Sequence, residues 1–455
     1  MANPRTIRPP SFRPDFSLIL ISLVFALLWI AGGASRADTL GQVVVRAGSW
    51  AILIVAVLFG PRPALRNVRF VFLLLTVMIA LPVIQLVPLP PAWWQALPGR
   101  QILLIPGDAV PWRPWSMTPG ATRNALASLI VPVTVLLVQA QAKEQTHRRM
   151  SAVLLVVIAT AMLLGLLQFS GVNFNNPLIN DTSGVVSSIF ANRNHFALFL
   201  AIGCLVAPVW AFLDHQALRW RGPLASGLVL LFVLTILATG SRSGMLLGAL
   251  ALALALLLIG RRLRRRLAMA PSWVFPAVVV TALLAVGGFV AISFAADRAS
   301  AIDRLIALDN GEDMRSRALP TVLSMIRTYM PFGSGFGGFD PMFRLHEPLG
   351  LLKFTYFNQA HNDFLGVALD GGLPGVAVLA AGVAWWLIAT VWVWRATPNG
   401  DVLLGRLGSA TILLVLTASV TDYPARTPTI MAVLVVAAWW LARATADKMP
   451  PALPD

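Results

Sequence analysis

A short polar segment, His361-Asn362-Asp363, carries residue types suited to acid–base chemistry. It lies just ahead of a long apolar run. A neutral imidazole can accept a proton near neutral pH, so His361 is a candidate base toward a hydroxyl nucleophile. Asp363 either orients that imidazole or caps a helix start, which is the commoner role of a first-turn acid. A lone histidine is more often structural, and His346 and His195 are weaker candidates of the same kind.

Arg242 carries a charge where charge is costly. It lies in Thr239-Gly240-Ser241-Arg242-Ser243-Gly244, a tight link between two long apolar runs, and a central arginine in hydrocarbon costs about 2.5–3.5 kcal/mol on insertion scales. One interpretation is an arginine that snorkels to lipid phosphates. The other is a fixed guanidinium that binds a phosphate ligand through two hydrogen bonds.

The segment from 294 to 372 adds further charges and one misleading motif. Its basic and acidic residues nearly balance, so most of them are predicted to be surface charges. Gly333-Ser334-Gly335-Phe336-Gly337-Gly338 matches G-x-G-x-x-G, but the dinucleotide fingerprint needs a preceding strand and a βαβ unit. The glycines instead predict a tight, flat backbone turn close to a ligand.

Composition indicates what must position these residues. Hydrophobic residues make up 57% of the 455 residues and charged residues 12%, with a mean hydropathy of +0.76. A soluble domain carries about 25% charged residues. The net charge of +16 does not indicate nucleic acid binding, because the basic residues lie between apolar runs. The single Cys204 cannot form an intramolecular disulfide, and no metal-ligand spacing or cofactor motif is present.

Apolar runs long enough to cross about 30 Å of hydrocarbon predict an all-α polytopic membrane protein with about 12 transmembrane helices. The first is interpreted as an uncleaved helix, and the second is long enough only if it includes Arg46, which would snorkel to an interface. The runs lie near 17–34, 47–60, 70–89, 125–141, 151–168, 195–213, 223–240, 243–260, 272–293, 373–394, 407–421 and 427–442.

The distribution of Lys and Arg predicts that both termini are cytoplasmic. The short loop with five arginines at 261–266 is the strongest determinant. Most of the 35 basic residues then fall on the cytoplasmic side: Arg5, Arg8, Arg13, Arg62, Arg66, Arg69, Lys143, Arg148, Arg149, Arg219, Arg221, Arg261, Arg262, Arg264, Arg265, Arg266, Arg395, Arg406, Arg443 and Lys448.

Three segments on the outer side are too long to be simple turns. We therefore predict a single membrane domain over 1–455. Residues 17–293 hold the first nine spans, with outer loops at about 90–124 and 171–193. The large loop 294–372 carries the candidate site, 373–442 holds the last three spans, and 443–455 is a cytoplasmic tail. Within the large loop, Pro320–Met330 and 354–369 are predicted to be amphipathic helices, and Gly371-Gly372-Leu373-Pro374 breaks the second one.

Four stretches together resemble the O-antigen ligase and O-antigen polymerase superfamily of bacterial membrane glycosyltransferases, over nearly the whole chain. Trp115–Thr122 resembles the family's Ser-x-x-Pro-x-x-Thr entry to a span, and Phe190–Ala197 resembles its Asn-x-Asn-x-x-Ala start. Ser241-Arg242-Ser243-Gly244 matches its Ser-Arg-Gly/Ser turn. The fourth stretch is the large loop, from Met325-Ile326 through the glycine-rich turn to His361-Asn362-Asp363 and Gly371–Gly375.

The resemblance implies a metal-independent glycosyltransferase of the bacterial inner membrane whose active face is periplasmic. The donor would be a glycan linked to undecaprenyl diphosphate, embedded in the lipid bilayer. The acceptor would be a hydroxyl of lipid A core, of a growing polysaccharide or of a protein, so lipopolysaccharide and exopolysaccharide synthesis both remain open. Carried over by position, His361 is the catalytic base, and Arg242 and Arg315, or Arg317 as the near alternative, bind the diphosphate. Asn192, Asn194, Asn362 and Asp363 complete the predicted substrate site.

Two other functions remain open. A transporter or flippase without covalent chemistry would suit twelve spans, but transporters usually show paired repeats and ionisable groups near the midplane, and these runs are nearly free of charge. A structural partner in a polysaccharide assembly complex is the third possibility.

Overall fold

The computed structural model describes residues 15–107, 109–172, 174, 176–180, 184–213, 218–267, 313–352 and 357–446, together with isolated positions between 268 and 312. The predicted ninth span at 272–293, apart from isolated positions, and residues 294–312 and 353–356 of the large loop lie outside the described residues.

Helices dominate the described chain, and the one sheet there is a pair of two-residue antiparallel strands, β1 (Pro88–Leu89) and β2 (Arg113–Pro114). The helices are α1 (Phe16–Ala31), α2 (Leu40–Phe59), α3 (Arg69–Gln85), α4 (Pro91–Ala96), α5 (Pro119–Ser128), α6 (Ile130–Ala140), α7 (Glu144–Phe169), α8 (Arg193–Leu213), α9 (Leu218–Ala238), α10 (Arg242–Leu267), α11 (Asp313–Tyr329), α12 (Phe339–His346), α13 (Asp363–Arg395), α14 (Gly400–Ser419) and α15 (Pro428–Thr445).

Ten helical segments of the described chain are long and apolar enough to cross a membrane, and α1 is a shorter apolar helix of 16 residues. This confirms the predicted all-α polytopic membrane fold. The second span is longer than predicted, since α2 begins at Leu40. Arg46 does not snorkel from it: its guanidinium donates to Asn124 Oδ1 at 2.7 Å and to Ser128 Oγ at 2.9 Å, so neighbouring side chains satisfy it.

The helix α8 lies at the centre of the bundle. Its membrane-spanning window is 89% buried, against 22% for the windows around α3 and α9. It packs against α7, α9, α10 and α14, and α14 packs along α15. Other helices therefore cover most of the surface of α8, whereas α3 and α9 leave most of theirs outside the protein interior. Because α8 begins at Arg193, the predicted Asn-x-Asn segment lies in the middle of one end of the bundle.

The opposite end of the bundle is basic. Arg262, near the end of α10, donates to the carbonyls of Phe212 and Asn399. Arg148, in the first turns of α7, lies 3.5 Å from Asp401. These contacts join helix ends that all lie away from the start of α8. The basic residues therefore concentrate at the end of the bundle farthest from the Asn-x-Asn segment.

A second hydrophobic cluster, formed by α11, α12, Met117, Leu351 and Leu369, is separate from the main core. The fully buried Arg100 joins it to the segment that follows α3. Its guanidinium donates to the carbonyls of Pro98 (2.7 Å), Trp115 (2.8 Å) and Gly333 (3.1 Å), an arrangement we call the Arg100 clip. Burial lowers the pKa of Arg100 to about 10, so it remains charged at any physiological pH.

The glycine-rich turn approaches protein backbone closely. Gly333 and Gly335 both have positive φ. A Cβ on Gly335 would lie 2.1 Å from Ser116 Oγ, and one on Gly333 would lie 2.6 Å from the Asp370 carbonyl. The glycines therefore let the turn pack against the segment before α5 and against α13.

The helices of the large loop differ from their predicted bounds. α11 begins at Asp313 rather than at Pro320, which lies inside it. The predicted helix at 354–369 is wrong in its first part: 357–362 is not helical, and α13 begins at Asp363. The reason is local, because His361 has φ +47° and the Asn362 side chain caps the helix by accepting from Leu365 N. The predicted break appears as a kink at Gly372, with φ 57° and ψ −150°, inside a 33-residue helix.

Candidate active site

A buried carboxylate, Asp422, lies at the centre of the candidate site. It belongs to the short connection between α14 and α15, and its side chain is 3% exposed. Asp422 Oδ2 accepts from Asn192 Nδ2 at 2.9 Å and from Asn194 Nδ2 at 2.8 Å. Oδ1 accepts from the backbone N–H of Tyr423 at 3.0 Å. A buried carboxylate is stable only when donors surround it, and these three donors supply that stabilisation.

His361 faces this carboxylate. Its Nδ1 lies 3.4 Å from Asp422 Oδ1, within ion-pair range but not aligned as a hydrogen bond. The imidazole packs against the rings of Phe357 and Tyr423, with centroid distances of 5.1 and 5.0 Å. The side chain is 17% exposed while its Nδ1 is buried. The ring thus directs one nitrogen inward and leaves Nε2 as the nitrogen available to a substrate.

His195, the weaker candidate from the start of α8, lies on the other side of the same carboxylate. Its Nε2 is 3.8 Å from Asp422 Oδ1, and its Nδ1 is 3.0 Å from Thr427 Oγ1. Its side chain is only 3% exposed. A group this deeply buried has little access to a substrate, so its contacts with Asp422 and Thr427 are the relevant ones. His346, the third candidate, instead bonds Tyr329 through Nε2 at 2.7 Å.

The two predicted asparagines hold Asp422 and connect it to the arginine turn. Asn192 Oδ1 accepts from Asn194 N at 2.8 Å, and Asn194 Oδ1 accepts from Ser241 Oγ at 2.8 Å. Ser241 Oγ in turn accepts from Gly244 N at 2.9 Å, which fixes the start of α10. Their amide N–H groups point at a protein carboxylate. The prediction that they also contact substrate stays a prediction.

Two arginines begin neighbouring helices beside this network. Arg242 is the first residue of α10 and directly follows Ser241. Arg193 is the first residue of α8 and lies between the two asparagines. A Cβ on Gly240 would lie 3.7 Å from Arg193 Nη1, so this guanidinium borders the turn that carries Arg242. Helix N-termini favour anions, and both arginines add positive charge at that position.

The structure separates the two loop arginines that the sequence left as alternatives. Arg315, in the first turn of α11, donates to the Thr421 carbonyl at 3.0 Å, next to Asp422 in the chain. Arg317 donates to the Gly350 carbonyl at 2.7 Å, on a different loop segment. Arg315 is therefore the one that lies beside His361 and Asp422.

The remaining predicted residues position the start of α13. Asn362 caps that helix and donates to the Val420 carbonyl at 2.8 Å. Asp363 accepts from Ser419 Oγ at 2.9 Å and from Ala425 N at 3.2 Å, and lies 3.5 Å from Arg426. Of the two roles left open for Asp363, the structure does not show the orienting one, because the carboxylate at His361 is Asp422. Asp363 lies in the first turn of α13, the commoner position for such an acid, and faces Arg426.

Arg426 also binds a second buried acid. It lies 3.4 Å from Asp370, whose side chain is 1% exposed. The same Asp370 oxygen accepts from Gly337 N at 3.2 Å, and the Asp370 carbonyl accepts from Gln85 Nε2 at 3.0 Å. Gly366 leaves room for the guanidinium, because a Cβ there would lie 2.2 Å from Arg426 Nη2. This buried network links the glycine-rich turn to the segment that carries Asp422.

The local electrostatics favour a neutral imidazole beside a charged carboxylate. Burial lowers the pKa of His361 below its ordinary 6.5, Asp422 opposes that shift, and the charge of Arg315 adds to it. Burial alone would raise the pKa of Asp422, but His195 and His361 hold it well below its ordinary value. Burial and the neighbouring Asp422 raise the pKa of Tyr423 to about 12. A neutral, partly exposed imidazole backed by a carboxylate is the arrangement of a general base.

Sequence reasoning missed four residues of this site: Asp422, Tyr423, Arg426 and Arg193. The first three lie within residues 422–426, between the predicted spans 407–421 and 427–442, and no sequence motif marks them. One signal was available, since Asp422 is an acid beside a span on the same predicted side as His361, where charge is costly. Arg193 was visible inside the Asn-x-Asn stretch but not singled out.

Residues 227–380 match a family described as O-Antigen ligase. That range includes Arg242, Arg315 and His361, while Asn192 and Asp422 lie outside it. None of the curated proteins matches the chain. The family match confirms the predicted resemblance of this polytopic membrane protein to the O-antigen ligase and polymerase superfamily.

Proposed function

We propose that the protein transfers a glycan from a polyprenyl-diphosphate-linked donor to an acceptor hydroxyl, and that His361 is its catalytic base. The observation that carries this proposal is the His361–Asp422 pair at the end of the bundle where Arg242 and Arg315 also lie. A base, a buried carboxylate behind it and nearby guanidinium groups are the parts that such a transfer needs.

In the proposed reaction the acceptor oxygen attacks the anomeric carbon of the donor glycan. The bond between that carbon and the diphosphate oxygen breaks, and the lipid diphosphate leaves with the bonding electron pair. The acceptor proton passes to His361 Nε2. The resulting imidazolium keeps its Nδ1 proton toward Asp422 Oδ1, 3.4 Å away, so the carboxylate stabilises the positive charge.

The leaving diphosphate gains negative charge, and guanidinium groups are suited to receive it. We assign this role to Arg242 and Arg315, and add Arg193 because it borders the same turn. In the described part of the chain, Arg193 has no carboxylate or hydrogen-bond partner that would compete with a phosphate. We assign no diphosphate contact to Arg317, which bonds the Gly350 carbonyl.

Asn192, Asn194, Asn362 and Asp363 act in this proposal as positioning residues. The two α8 asparagines hold Asp422 Oδ2, and the Asn362 cap fixes the chain direction next to His361. Asp363 fixes the other end of the Asp422 connection through Ala425 N. Their substitution should therefore reduce transfer through loss of geometry.

We place the site on the periplasmic face of the bacterial inner membrane, with both termini in the cytoplasm. This is supported by the basic residues at the opposite end of the bundle, since cytoplasmic loops carry the excess of Lys and Arg. The donor would be an undecaprenyl-diphosphate-linked glycan that enters from the bilayer. Lipid A core, a growing polysaccharide and a protein hydroxyl remain the candidate acceptors.

The test is envelope glycan profiling of a deletion strain complemented with the wild-type protein, His361→Ala or Arg242→Ala. His346→Ala serves as a matched control, because His346 bonds Tyr329 and makes no contact with Asp422 in the described structure. We expect the wild type and the control to restore a defined glycan, and the other two variants to lose it at normal protein abundance.

The lost pattern would also identify the subclass. Loss of all capped core would indicate a ligase, and collapse to single repeat units would indicate a polymerase. Full restoration by both His361→Ala and Arg242→Ala would contradict the proposal and would favour a transporter or an assembly scaffold.

A further inference from the structure

One carboxylate oxygen of Asp422 lies close to two histidine side chains. Oδ2 is occupied by the amides of Asn192 and Asn194, at 2.9 and 2.8 Å. Oδ1 faces His361 Nδ1 at 3.4 Å and His195 Nε2 at 3.8 Å, besides the N–H of Tyr423. Both imidazoles therefore lie within 4 Å of the same charged oxygen, at ion-pair range.

Both rings are held in place from their far sides. Thr427 Oγ1 lies 3.0 Å from His195 Nδ1, which leaves Nε2 directed at Asp422. The Tyr423 ring packs edge-on against His195 and also against His361, with centroid distances of 5.3 and 5.0 Å. Neither ring can turn away from the carboxylate without losing these contacts.

We propose that His195 and His361 share Asp422 so that the site carries one proton on two imidazoles, and that His195 is a positioning residue that sets how strongly His361 holds its proton. The inference deepens the proposed function and rests on it for the role of His361 as the base. Its partner would be the acceptor hydroxyl, whose proton His361 receives only while His195 is neutral.

The charges around the two imidazoles also favour a single proton shared between His195 and His361. Asp422 contributes one negative charge, and Arg315 contributes a positive charge from α11. Asp363, at the start of α13, and Arg426, on the connection, lie 3.5 Å apart and pair with each other. Tyr423 stays neutral, since burial raises its pKa to about 12. A second imidazolium would be repelled by the first and by Arg315, because like charges disfavour each other in a buried site.

Histidine NMR of the full chain in micelles can test the inference without any glycan substrate. The protein has five histidines, so single substitutions suffice to assign 13C-labelled imidazole signals. We compare pH titrations of the wild type and His195→Phe, with His346→Gln as the control. Removing the second imidazole should leave the charge of Asp422 Oδ1 to His361 alone, so the His361 midpoint should rise by about half a pH unit or more in His195→Phe. In His346→Gln it should stay unchanged.

Two further measurements protect the test if His195→Phe does not fold. In the wild type, the His195 and His361 titrations should be coupled, with a step in one signal at the midpoint of the other. Thr427→Val keeps the shape of Thr427 but removes its hydroxyl, and it should change the His195 Nδ1 shift and raise the His361 midpoint. The inference would be overturned if the His195 and His361 titration curves of the wild type were independent. It would also be overturned if the His361 midpoint were the same in His195→Phe, Thr427→Val and the wild type.

The titration and the glycan profile fail separately. If the His361 midpoint moves as expected but His361→Ala still restores the glycan, the sharing of one proton is supported and the proposed function is contradicted. If His361→Ala loses the glycan but the two titrations are independent, the role of His361 as the base is supported and the role of His195 is contradicted.

Discussion

Asp422 determines what His361 can do. A buried imidazole alone would hold a proton weakly, and burial does lower the pKa of His361. The carboxylate 3.4 Å away opposes this and receives the charge once a proton arrives. Because Asn192, Asn194 and the Tyr423 N–H already bind Asp422, it remains ionised and fixed. The residue pair is thus preorganised, so little reorganisation is needed during proton transfer.

Asp422→Asn should weaken the base and move its pH profile. Asp422 raises the pKa of His361, so its loss should lower that pKa further. The active form of the base is neutral, and it is lost as the pH falls through the pKa. The acid limb of the transfer rate should therefore move to lower pH while the maximal rate falls. The measurement is transfer in membrane vesicles between about pH 5 and pH 8. An unchanged acid limb would contradict the role given to Asp422.

Arg242→Lys should fail nearly as badly as Arg242→Ala. Lysine keeps the charge but lacks the planar pair of donors that binds a phosphate in two places. Loss of one such donor costs roughly 3 kcal/mol of transition-state stabilisation, about a hundredfold in rate. The loss is measured as the rate of glycan transfer in membranes that hold equal amounts of each variant. Arg264→Lys, at the basic end of the bundle, is the control. Near-normal transfer by the Arg242→Lys variant would contradict the proposal that Arg242 binds the leaving diphosphate.

Elements bring together residues that are distant in sequence. The site uses the starts of α8, α10 and α13, the first turn of α11 and the connection between α14 and α15. The starts of α8 and α10 were predictable from the ends of the apolar runs, whereas those of α11 and α13 were not. The contact between His361 and Asp422 was not, because it depends on how α13, α14 and α15 pack. The local signal at Asp363 was misleading for the same reason, since a nearby acid in sequence is not a nearby acid in space.

The kink in α13 should tolerate no side chain. Gly372 has φ 57° and ψ −150°, and a Cβ there would lie 2.3 Å from the Pro331 carbonyl oxygen. Gly372→Ala should therefore destabilise the protein by about 1–3 kcal/mol or more. Gly382→Ala, on the same helix, meets only the Leu74 side chain at 3.4 Å, and should be neutral or slightly stabilising. Thermal unfolding in detergent compares them, and equal melting temperatures for the two variants would refute the strain argument.

The molecule as a whole has two chemically different ends. The charge pattern of the sequence predicted this polarity, since the basic residues cluster in short loops. The described helices agree, with Arg262 and Arg148 at one end and His361 at the other. The sequence could not predict how the segment after α3 and the large loop join, because the Arg100 clip brings the carbonyl of Gly333 together with those of Pro98 and Trp115.

Cysteine labelling can test the orientation. Cys204 is the only cysteine and is fully buried, so the natural chain gives a low background. Leu349 is 86% exposed at the site end, and Leu349→Cys should react with a membrane-impermeant maleimide from the periplasm. Arg264→Cys, at the basic end, should react only after the inner membrane is opened. The reverse pattern would place the site in the cytoplasm and exclude a periplasmic transferase.

The Arg100 clip and the base respond differently to acid. The clip relies on a guanidinium with a pKa of about 10 and on carbonyls that do not titrate, whereas His361 gains a proton as the pH falls through its lowered pKa. Acidification through that pKa should therefore stop transfer while tryptophan fluorescence and melting temperature stay unchanged, and neutralisation should restore the rate at once. If the proposed function holds, acid would act as a reversible off-switch for glycan transfer that leaves the folded protein intact.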